Sequence, residues 1–358
     1  MTGTRTQPAP TGAPAGMLRP GWAGVAQLVA IAVIIAGAGA AIYGERATLR
    51  QGLGFFPHVR VGWVLAGAGA EFLSMKAFGQ LERVLLRAAG ARLTLRSVLA
   101  TVYKANAIAV SVPVVGSGIA AAYTVREFRR AGADAGQASV ALTLAGVLST
   151  VTFAILAALA VALTGNPAAA VLGLAGSLAA AGIAVALVMS LRFPRFRAQL
   201  VTLAGQTLRM ARRCTRGRPR RDVAALIGST LERAGDLRLG YLALAQAFAF
   251  ALANWAADIC CLFCALHAVG VAVPGAKILL VWTVGAGAGS LSPVPGGIGI
   301  VDIVLIAALA GVGVHTAAGV AAVLLYRILS LKIGMSMAWF TCHCWRQRRA
   351  RLRSPSGD

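Results

Sequence analysis

The segment SPVPGGIGI at residues 292–300 interrupts a long apolar stretch with two prolines and three glycines. A second interruption, SVPVVGSGI at residues 111–119, lies 181 residues earlier (292 − 111). Proline removes a backbone donor and glycine relaxes the backbone dihedrals, so such a segment survives inside a membrane only where it is buried in protein or lines a cavity. Broken helices in corresponding halves of a chain point to the binding site of a membrane transporter. We therefore expect the candidate site at these two breaks.

The same offset relates further positions of the two halves. Identical residues recur at Ser111 and Ser292, Gly116 and Gly297, Gly118 and Gly299, Ile119 and Ile300, Gly132 and Gly313, Leu148 and Leu329, and Ser149 and Ser330. Some of these matches are chance in a chain so rich in alanine, glycine and leucine. Their clustering around the breaks favours one broken-helix element that is used twice.

Composition assigns the chain to a membrane. Of its 358 residues, 58% are hydrophobic and 13% are charged, and the mean hydropathy is +0.76. No soluble globule has enough interior to bury that much apolar surface. Six runs reach the roughly 20 residues that cross about 30 Å of hydrocarbon. They are Trp22 to Tyr43, Val61 to Gln80, Gln137 to Thr164, Ala168 to Leu191, Leu239 to His267 and Thr316 to Phe340.

The formal net charge of +23 is concentrated in loops. Arginines cluster within residues 83–96, 126–130, 192–238 and 346–353. The positive-inside rule places all four segments in the cytoplasm, so we expect a multi-pass protein of the cytoplasmic membrane with both termini inside. Basic segments at that surface attract anionic lipid headgroups. Membrane lipids are therefore the expected partners, and nucleic acid is not.

Both breaks are predicted to lie in re-entrant hairpins. Ser97 to Thr124 has basic loops at both ends, which favours a hairpin entering from the cytoplasm, although Ser97 to Val112 nearly suffices for a tilted crossing. The flanks of Ala276 to Gly311 are nearly uncharged, as expected of a hairpin entering from outside. Each half then consists of span, span, hairpin and span. Three crossings are an odd number, so the second half lies upside down relative to the first.

The predicted fold class is an all-α polytopic membrane protein with about six full transmembrane helices plus two re-entrant broken-helix hairpins in an inverted repeat. We divide the chain into a disordered cytoplasmic tail (1–21), the first membrane repeat (22–164), the connection and fourth span that begin the second repeat (165–191), a basic cytoplasmic interfacial loop (192–238), the rest of the second repeat (239–340) and a basic cytoplasmic tail (341–358).

Ionisable residues inside the spans are the candidate functional groups, because each costs about 2.5 to 3.5 kcal/mol at the bilayer centre on insertion scales. Asp302 follows the second break and Arg327 lies in the next span, which predicts either a charged pair lining a headgroup path or a structural ion pair. Asn254 and Asp258 share a helix face and could face the same cavity or pack against another helix. The predicted path also includes Pro113, Gly116 and Gly118 of the first break and Pro295, Gly296, Gly297 and Gly299 of the second.

Several other groups are interpreted as structural. Glu71 and Lys76 are poorly spaced to pair with each other, and Gly285, Gly287 and Gly289 form a small-residue surface for close helix contact. The motif Cys342-His343-Cys344 lacks the four ligands of a structural zinc site, so we expect no metal and no cofactor. The sequence contains no nucleotide-binding, metalloprotease or nucleophile-elbow motif, and we expect no enzymatic activity.

The second half resembles the lysylphosphatidylglycerol synthase transmembrane-region family. Residues 292–302 are similar to its proline-glycine-glycine signature, and Leu325-Tyr326-Arg327 is similar to the Tyr-Arg that follows. Trp255 with Asp258 fits its Trp-x-x-Asp element. The resemblance covers most of the chain, from about Ala23 to Phe340, and is most specific in residues 250–332.

The sequence departs from the family pattern in two places. The family usually has Glu where Asp302 stands, which keeps the carboxylate. In the first half its Pro-x-x-x-Gly-Glu-x-x-Arg pattern is not reproduced, since Ser117, Gly118 and Ala121 take the Gly, Glu and Arg places after Pro113.

The resemblance implies a lipid-transport function. The family includes the flippase half of the multiple peptide resistance factor, which moves aminoacylated phosphatidylglycerol between leaflets, and stand-alone proteins associated with polyprenyl-linked sugar pathways. The aminoacyl-transferase domain of the full-length synthases is not found in this sequence, so lipid aminoacylation is not expected. We predict flipping or scrambling of a polar-headgroup lipid, a phospholipid or a polyprenyl-phosphate conjugate. The alternatives are an accessory subunit of a lipid-modifying or glycosyl-transferring enzyme and an ion-coupled exporter of a small solute.

Overall fold

The computed structural model describes residues 59–111, 116–165, 240–292 and 295–332, together with isolated positions at 54, 171, 175, 178 and 182. All of them lie within one compact unit, Glu45–Asp358. Several predicted features fall outside the described residues. These are the span Trp22 to Tyr43, nearly all of Ala168 to Leu191, the loop 192–238, both tails, Pro113, and the span Thr316 to Phe340 beyond residue 332.

The described residues are helical and contain no strand, which confirms the predicted all-α class. The helices are α1 (Val61–Ala88), α2 (Leu95–Ser111), α3 (Gly116–Arg130), α4 (Ala135–Ala162), α5 (Tyr241–Ala268), α6 (Gly275–Leu291), α7 (Ile300–Gly311) and α8 (Thr316–Arg327). A 3₁₀ turn at Pro295–Gly297 separates α6 from α7, and a π-helical turn at Ile328–Lys332 continues α8.

Among the described helices, α4 and α5 are long and apolar enough to cross a membrane, judged by length and composition. Each has 28 residues, or about 42 Å at 1.5 Å per residue. The helix α1 has the same length and carries five ionisable residues, Glu71, Lys76, Glu82, Arg83 and Arg87. All three helices begin within two residues of the spans predicted from hydropathy.

Helix lengths and turns repeat along the chain. The 28-residue helices α1 and α5 begin 180 residues apart (241 − 61), and so do the 17-residue helices α2 and α6 (275 − 95). The turns that link each pair contain a glycine in the left-handed region, Gly90 with φ 92° and Gly270 with φ 82°. These matches agree with the predicted reuse of one helical element.

The helices α1 and α5 pack along their lengths and run antiparallel. At one end the backbone N–H of Arg60, just before α1, donates to the carbonyl of Ala268 at the end of α5 (3.0 Å). In the middle of both helices, Ser74 Oγ donates to Asn254 Oδ1 (3.1 Å). Ser74 and Asn254 are themselves 180 residues apart (254 − 74), the same separation as the starts of the two helices.

The predicted breaks separate helices that fold back on each other. The helices α2 and α3 pack together, so closely that a Cβ on Gly116 would lie 2.7 Å from the carbonyl oxygen of Ala109. In the second hairpin, α6 packs on α7, and a Cβ on Gly285 would lie 2.3 Å from Leu305 Cδ2. The first hairpin was predicted to end at Thr124, whereas α3 continues to Arg130. Basic residues in the last turn stabilise a helix C-terminus through the macrodipole, which accounts for the extension.

Candidate functional site

The two breaks meet at one cavity of 570 Å³, which is within the size range of small-molecule sites. Both hairpins contribute to its lining, together with α5 and α8. The 3₁₀ turn of the second break also contacts α2 of the first hairpin. The cavity therefore lies between the two broken-helix elements. The polar, aromatic and break residues that line it include Asn106, Gly116, Trp255, Asp258, Trp282, Gly296, Gly297, Tyr326 and Arg327.

Asp258 is the acidic group of this lining. Trp282 Nε1 donates to its Oδ2 at 2.9 Å, and the Tyr326 hydroxyl donates to its Oδ1 at 2.9 Å. Both carboxyl oxygens therefore accept hydrogen bonds, which is the arrangement that an ionised carboxylate uses. The two donors come from α6 and α8, so the carboxylate of α5 is fixed by helices on either side.

Aromatic rings form one wall beside Asp258. The Trp255 and Trp282 rings meet edge to face with centroids 5.4 Å apart, and Phe153 of α4 lies within 5.9 Å of both. Trp255 Nε1 donates to the carbonyl of Ser149 at 2.9 Å, which satisfies the indole donor. Trp255 thus attaches α5 to α4, while Asp258, three residues later, faces the cavity.

Asp302 and Arg327 form an ion pair at the second break, with Arg327 Nε 2.8 Å from Asp302 Oδ1. The donor hydrogen is not aligned with this contact, so it counts as an ion pair and not as a hydrogen bond. Asp302 Oδ2 accepts from the backbone N–H of Gly299 at 2.8 Å, as an N3 residue does when it caps the start of a helix. Arg327 Nη2 donates to the carbonyl of Gly296.

These contacts tie the irregular backbone to two helices. Gly296 and Gly297 have φ of 60° and 65°, in the left-handed region that favours glycine. A Cβ on Gly297 would also lie 2.4 Å from Val301 Cγ2. Among the described residues one guanidinium N–H of Arg327 donates to Gly296 and Nε pairs with Asp302, so other donors of the five can serve a group in the cavity.

The other predicted site residues are placed as follows. Asn254 is buried in the α1–α5 contact with Ser74 and does not line the cavity, which favours the packing alternative. Gly118 and Gly299 also lie outside the lining, and Gly118 is exposed with open space where a side chain would be. Pro295 belongs to the 3₁₀ turn. A single helical turn thus separates the cavity residue Asp258 from the interface residue Asn254.

Trp282 and the role of Tyr326 in holding Asp258 were not predicted from the sequence. The available signal was chemical, because a buried indole N–H or phenol hydroxyl needs an acceptor and carboxylates are scarce in these helices. Glu71 was interpreted as structural, yet it lies close enough to Asp258 to interact with it electrostatically. Within the described part of the chain no group of three or more His, Cys, Asp or Glu residues could hold a metal ion.

Comparison with known proteins identifies a family. The model of the family described as lysylphosphatidylglycerol synthase TM region matches residues 27–336, a range that contains every residue of the cavity lining. The match confirms the resemblance drawn from the second break. No curated protein matches the chain.

Proposed function

This chain belongs to the lysylphosphatidylglycerol synthase TM region family, and from that membership and its cavity we propose that it moves a polar-headgroup lipid across the cytoplasmic membrane. Its long apolar helices and its family make it a membrane protein. The lipid is a phospholipid or a polyprenyl-phosphate conjugate, and the protein catalyses no chemical step. Anionic headgroups bind its basic cytoplasmic loops.

One observation carries this proposal, namely that groups of opposite charge line a cavity between two broken-helix hairpins. Arg327 can donate to phosphate oxygens, for which the planar guanidinium is well suited. Asp258 can accept from hydroxyl or ammonium groups of a headgroup. The apolar chains of the lipid are already solvated by the hydrocarbon and can stay in the bilayer while the headgroup occupies the cavity. A polar path of this kind lowers the cost of carrying a headgroup through hydrocarbon.

We further propose that the membrane portion is an inverted repeat with about six crossings. The antiparallel packing of α1 on α5 supports the inversion, because these two helices are equivalents in the repeat. The Ser74–Asn254 contact supports it as well, because a contact between equivalent positions of two antiparallel helices is what a local two-fold axis between them produces. Three crossings per half would place both termini and residues 192–238 in the cytoplasm.

Cysteine accessibility tests this topology. Cysteines placed at the exposed positions Thr94 and Arg129, which flank the first hairpin, are expected to react from the cytoplasmic side, as is a cysteine at Arg218. Cysteines at the exposed positions Lys277 and His315, which flank the second hairpin, are expected to react from outside. The measurement is labelling of intact cells with a membrane-impermeant thiol reagent, with the unaltered chain as the blank. Labelling of Thr94→Cys and Arg129→Cys from opposite sides would mean that α2 crosses fully.

Lipid movement is tested with the purified protein in vesicles that contain trace fluorescent lipids. An impermeant reductant bleaches only the outer leaflet, so flipping appears as bleaching of lipid that began inside. The panel comprises a zwitterionic phospholipid, an anionic phospholipid, a phospholipid with a cationic aminoacyl group and a polyprenyl phosphate. We expect one class to move much faster than in protein-free vesicles.

Asp258→Asn is expected to slow that movement by roughly tenfold or more, because a hydrogen bond to a charged group contributes about 1.5 to 3 kcal/mol. Glu127→Gln is the matched control, since Glu127 pairs with Arg130 on the surface of α3 (2.7 Å) and is remote from the cavity lining. Equal rates for Asp258→Asn and the control would remove Asp258 from the path. No movement of any lipid would overturn the proposal, and a copurifying enzyme or gradient-driven solute uptake would then favour one of the alternatives.

A further inference from the structure

A buried carboxyl group lies behind the cavity and is not used by the contacts described above. Glu71 is 6% exposed, and its Oε2 has no hydrogen-bond partner among the described residues. On α1, Gly67 before it faces Cys261 and Cys264 of α5, and Ser74 after it donates to Asn254. This antiparallel register places Glu71 beside Asp258, the acidic residue of the cavity lining, and the two carboxyls interact electrostatically. An ionised Glu71 would be a buried charge beside another negative charge, which is among the least favourable arrangements in a protein interior.

A second, independent observation points to the same place. Tyr103 of α2 is 2% exposed, and its hydroxyl lacks a hydrogen-bond partner among the described residues. It interacts electrostatically with Glu71. Two buried polar groups on different helices, close enough to interact electrostatically, therefore both lack a hydrogen-bond partner among the described residues. Such groups are normally paired, so the exceptions call for an explanation.

The charged and titratable groups that face Glu71 are few. Asp258 and Cys261 come from α5, Tyr103 from α2 and Tyr326 from α8. Arg327 interacts with Asp258 and not directly with Glu71. Arg327 is itself engaged by Asp302 and the Gly296 carbonyl. None of these four groups is a cation that would compensate a negative charge on Glu71.

We infer that Glu71 and Asp258 form a binding site for one proton at the inner end of the cavity. Asp258 is the ionised member, since both of its oxygens accept hydrogen bonds. Glu71 carries the proton, in the way that two adjacent carboxyls share one. On release the proton passes from Glu71 Oε2 to Asp258 or to water in the cavity. The binding site is inferred from the burial of Glu71, its unpartnered Oε2 and the α1–α5 register, whereas its use to drive transport rests on the proposed function.

Proton binding and headgroup binding are then coupled. A cationic group that binds Asp258 weakens the repulsion on an ionised Glu71 and favours loss of its proton, while a negative group does the opposite. Because such coupling is reciprocal, the protonation of Glu71 also changes the affinity of the cavity for the headgroup. A proton gradient could therefore bias lipid movement toward one leaflet.

The test is the leaflet ratio of the transported lipid in vesicles with and without an imposed pH gradient. With one coupled proton, the wild-type ratio is expected to shift by up to about tenfold per pH unit, whereas an uncoupled scramblase leaves it even. Glu71→Gln is expected to move lipid to an even ratio despite the gradient. Glu82→Gln is the matched control, because Glu82 is also buried in α1 with an unpartnered Oε2 but lies eleven residues further along the helix (82 − 71) and is not acted on by Asp258. It is expected to keep the wild-type shift.

A readout that does not depend on transport separates the two proposals. Infrared spectra at neutral pH are expected to show a protonated carboxyl band component that Glu71→Gln removes and that Asp258→Asn displaces. Glu82→Gln removes a different component, which Asp258→Asn leaves unchanged. An even wild-type ratio, or a shift that follows a sodium gradient instead, would overturn proton coupling and leave lipid movement intact. If no lipid moves, the proposed function fails, and the absence of the Glu71 component would overturn the proton site itself.

Discussion

Arg327→Gln is expected to lower the free energy of unfolding by about 3 kcal/mol, at the low end of the cost of breaking a buried ion pair. The change leaves Asp302 without its ion pair and the Gly296 carbonyl without its donor. The loss stays near the lower end because the side chains of Arg327 and Asp302 are 15% and 26% exposed. Chemical unfolding in detergent micelles measures it. Arg130→Gln breaks the more exposed Glu127 pair and is expected to cost under about 1 kcal/mol.

The double variant Asp302→Asn with Arg327→Gln separates a functional pair from a structural one. Removing both charges relieves the uncompensated carboxylate, so stability is expected to recover in part and a double-mutant cycle gives the coupling energy. If Arg327 holds the headgroup, the double variant folds and moves no lipid. Wild-type flipping by a folded double variant would assign the pair to the scaffold alone.

The geometry of the pair makes both outcomes informative. Asp302 caps the first turn of α7 through Gly299, and Arg327 holds the carbonyl of Gly296 on the other side of the turn. The pair therefore links α7 to α8 across the second break. A ligand that draws Arg327 toward its own phosphate would compete with these contacts. Headgroup binding and the conformation of the break are linked by that competition.

Much of the fold could be predicted from the sequence, because its main signals are local. Proline and glycine mark the breaks at 111–119 and 292–300, and hydropathy gives the starts of α1, α4 and α5 within two residues. The sequence matches at the breaks give an offset of 181 residues, and the helices α1 and α5, like α2 and α6, keep their lengths at an offset of 180. The later helices differ, since α3 has 15 residues and α7 has 12. Helix α3 extends beyond its predicted end because arginines in the last turn stabilise the helix C-terminus through the macrodipole. The sequence prediction considered only their polarity.

The candidate site was less predictable, because it depends on how helices far apart in sequence are rotated toward each other. Asn254 and Asp258 are one turn apart on the same face, yet one meets α1 and the other the cavity. The partner of Asp258 in the carboxyl pair, Glu71, is 187 residues away (258 − 71). The hydrophobic periodicity of its helix does not indicate which side faces Asp258. The family-like Trp-x-x-Asp and Tyr-Arg elements located Trp255, Asp258 and Arg327, but not Trp282.

Gly116→Ala is expected to have the second large effect, by forcing apart the limbs of the first hairpin. The new methyl group would lie 2.7 Å from the carbonyl oxygen of Ala109 and 3.3 Å from its Cα. These are backbone atoms, which cannot turn aside as a side chain can, so α2 or α3 must shift. We expect a stability loss of about 3 kcal/mol or more, beyond the usual range for an overpacked core.

The same change is expected to impair lipid movement more than stability alone explains, because Ala109, Gly116 and Ser117 line the cavity. Gly118→Ala is the matched control. It lies two residues along the same helix, where a methyl group meets nothing within 4 Å, and the helix propensity of alanine is expected to stabilise α3 by up to about 1 kcal/mol. Melting temperature and flipping rate are measured for both variants in the same lipid. If the two alanines behave alike, the hairpin limbs do not meet at Gly116 in the membrane, and the cavity would need another wall on that side.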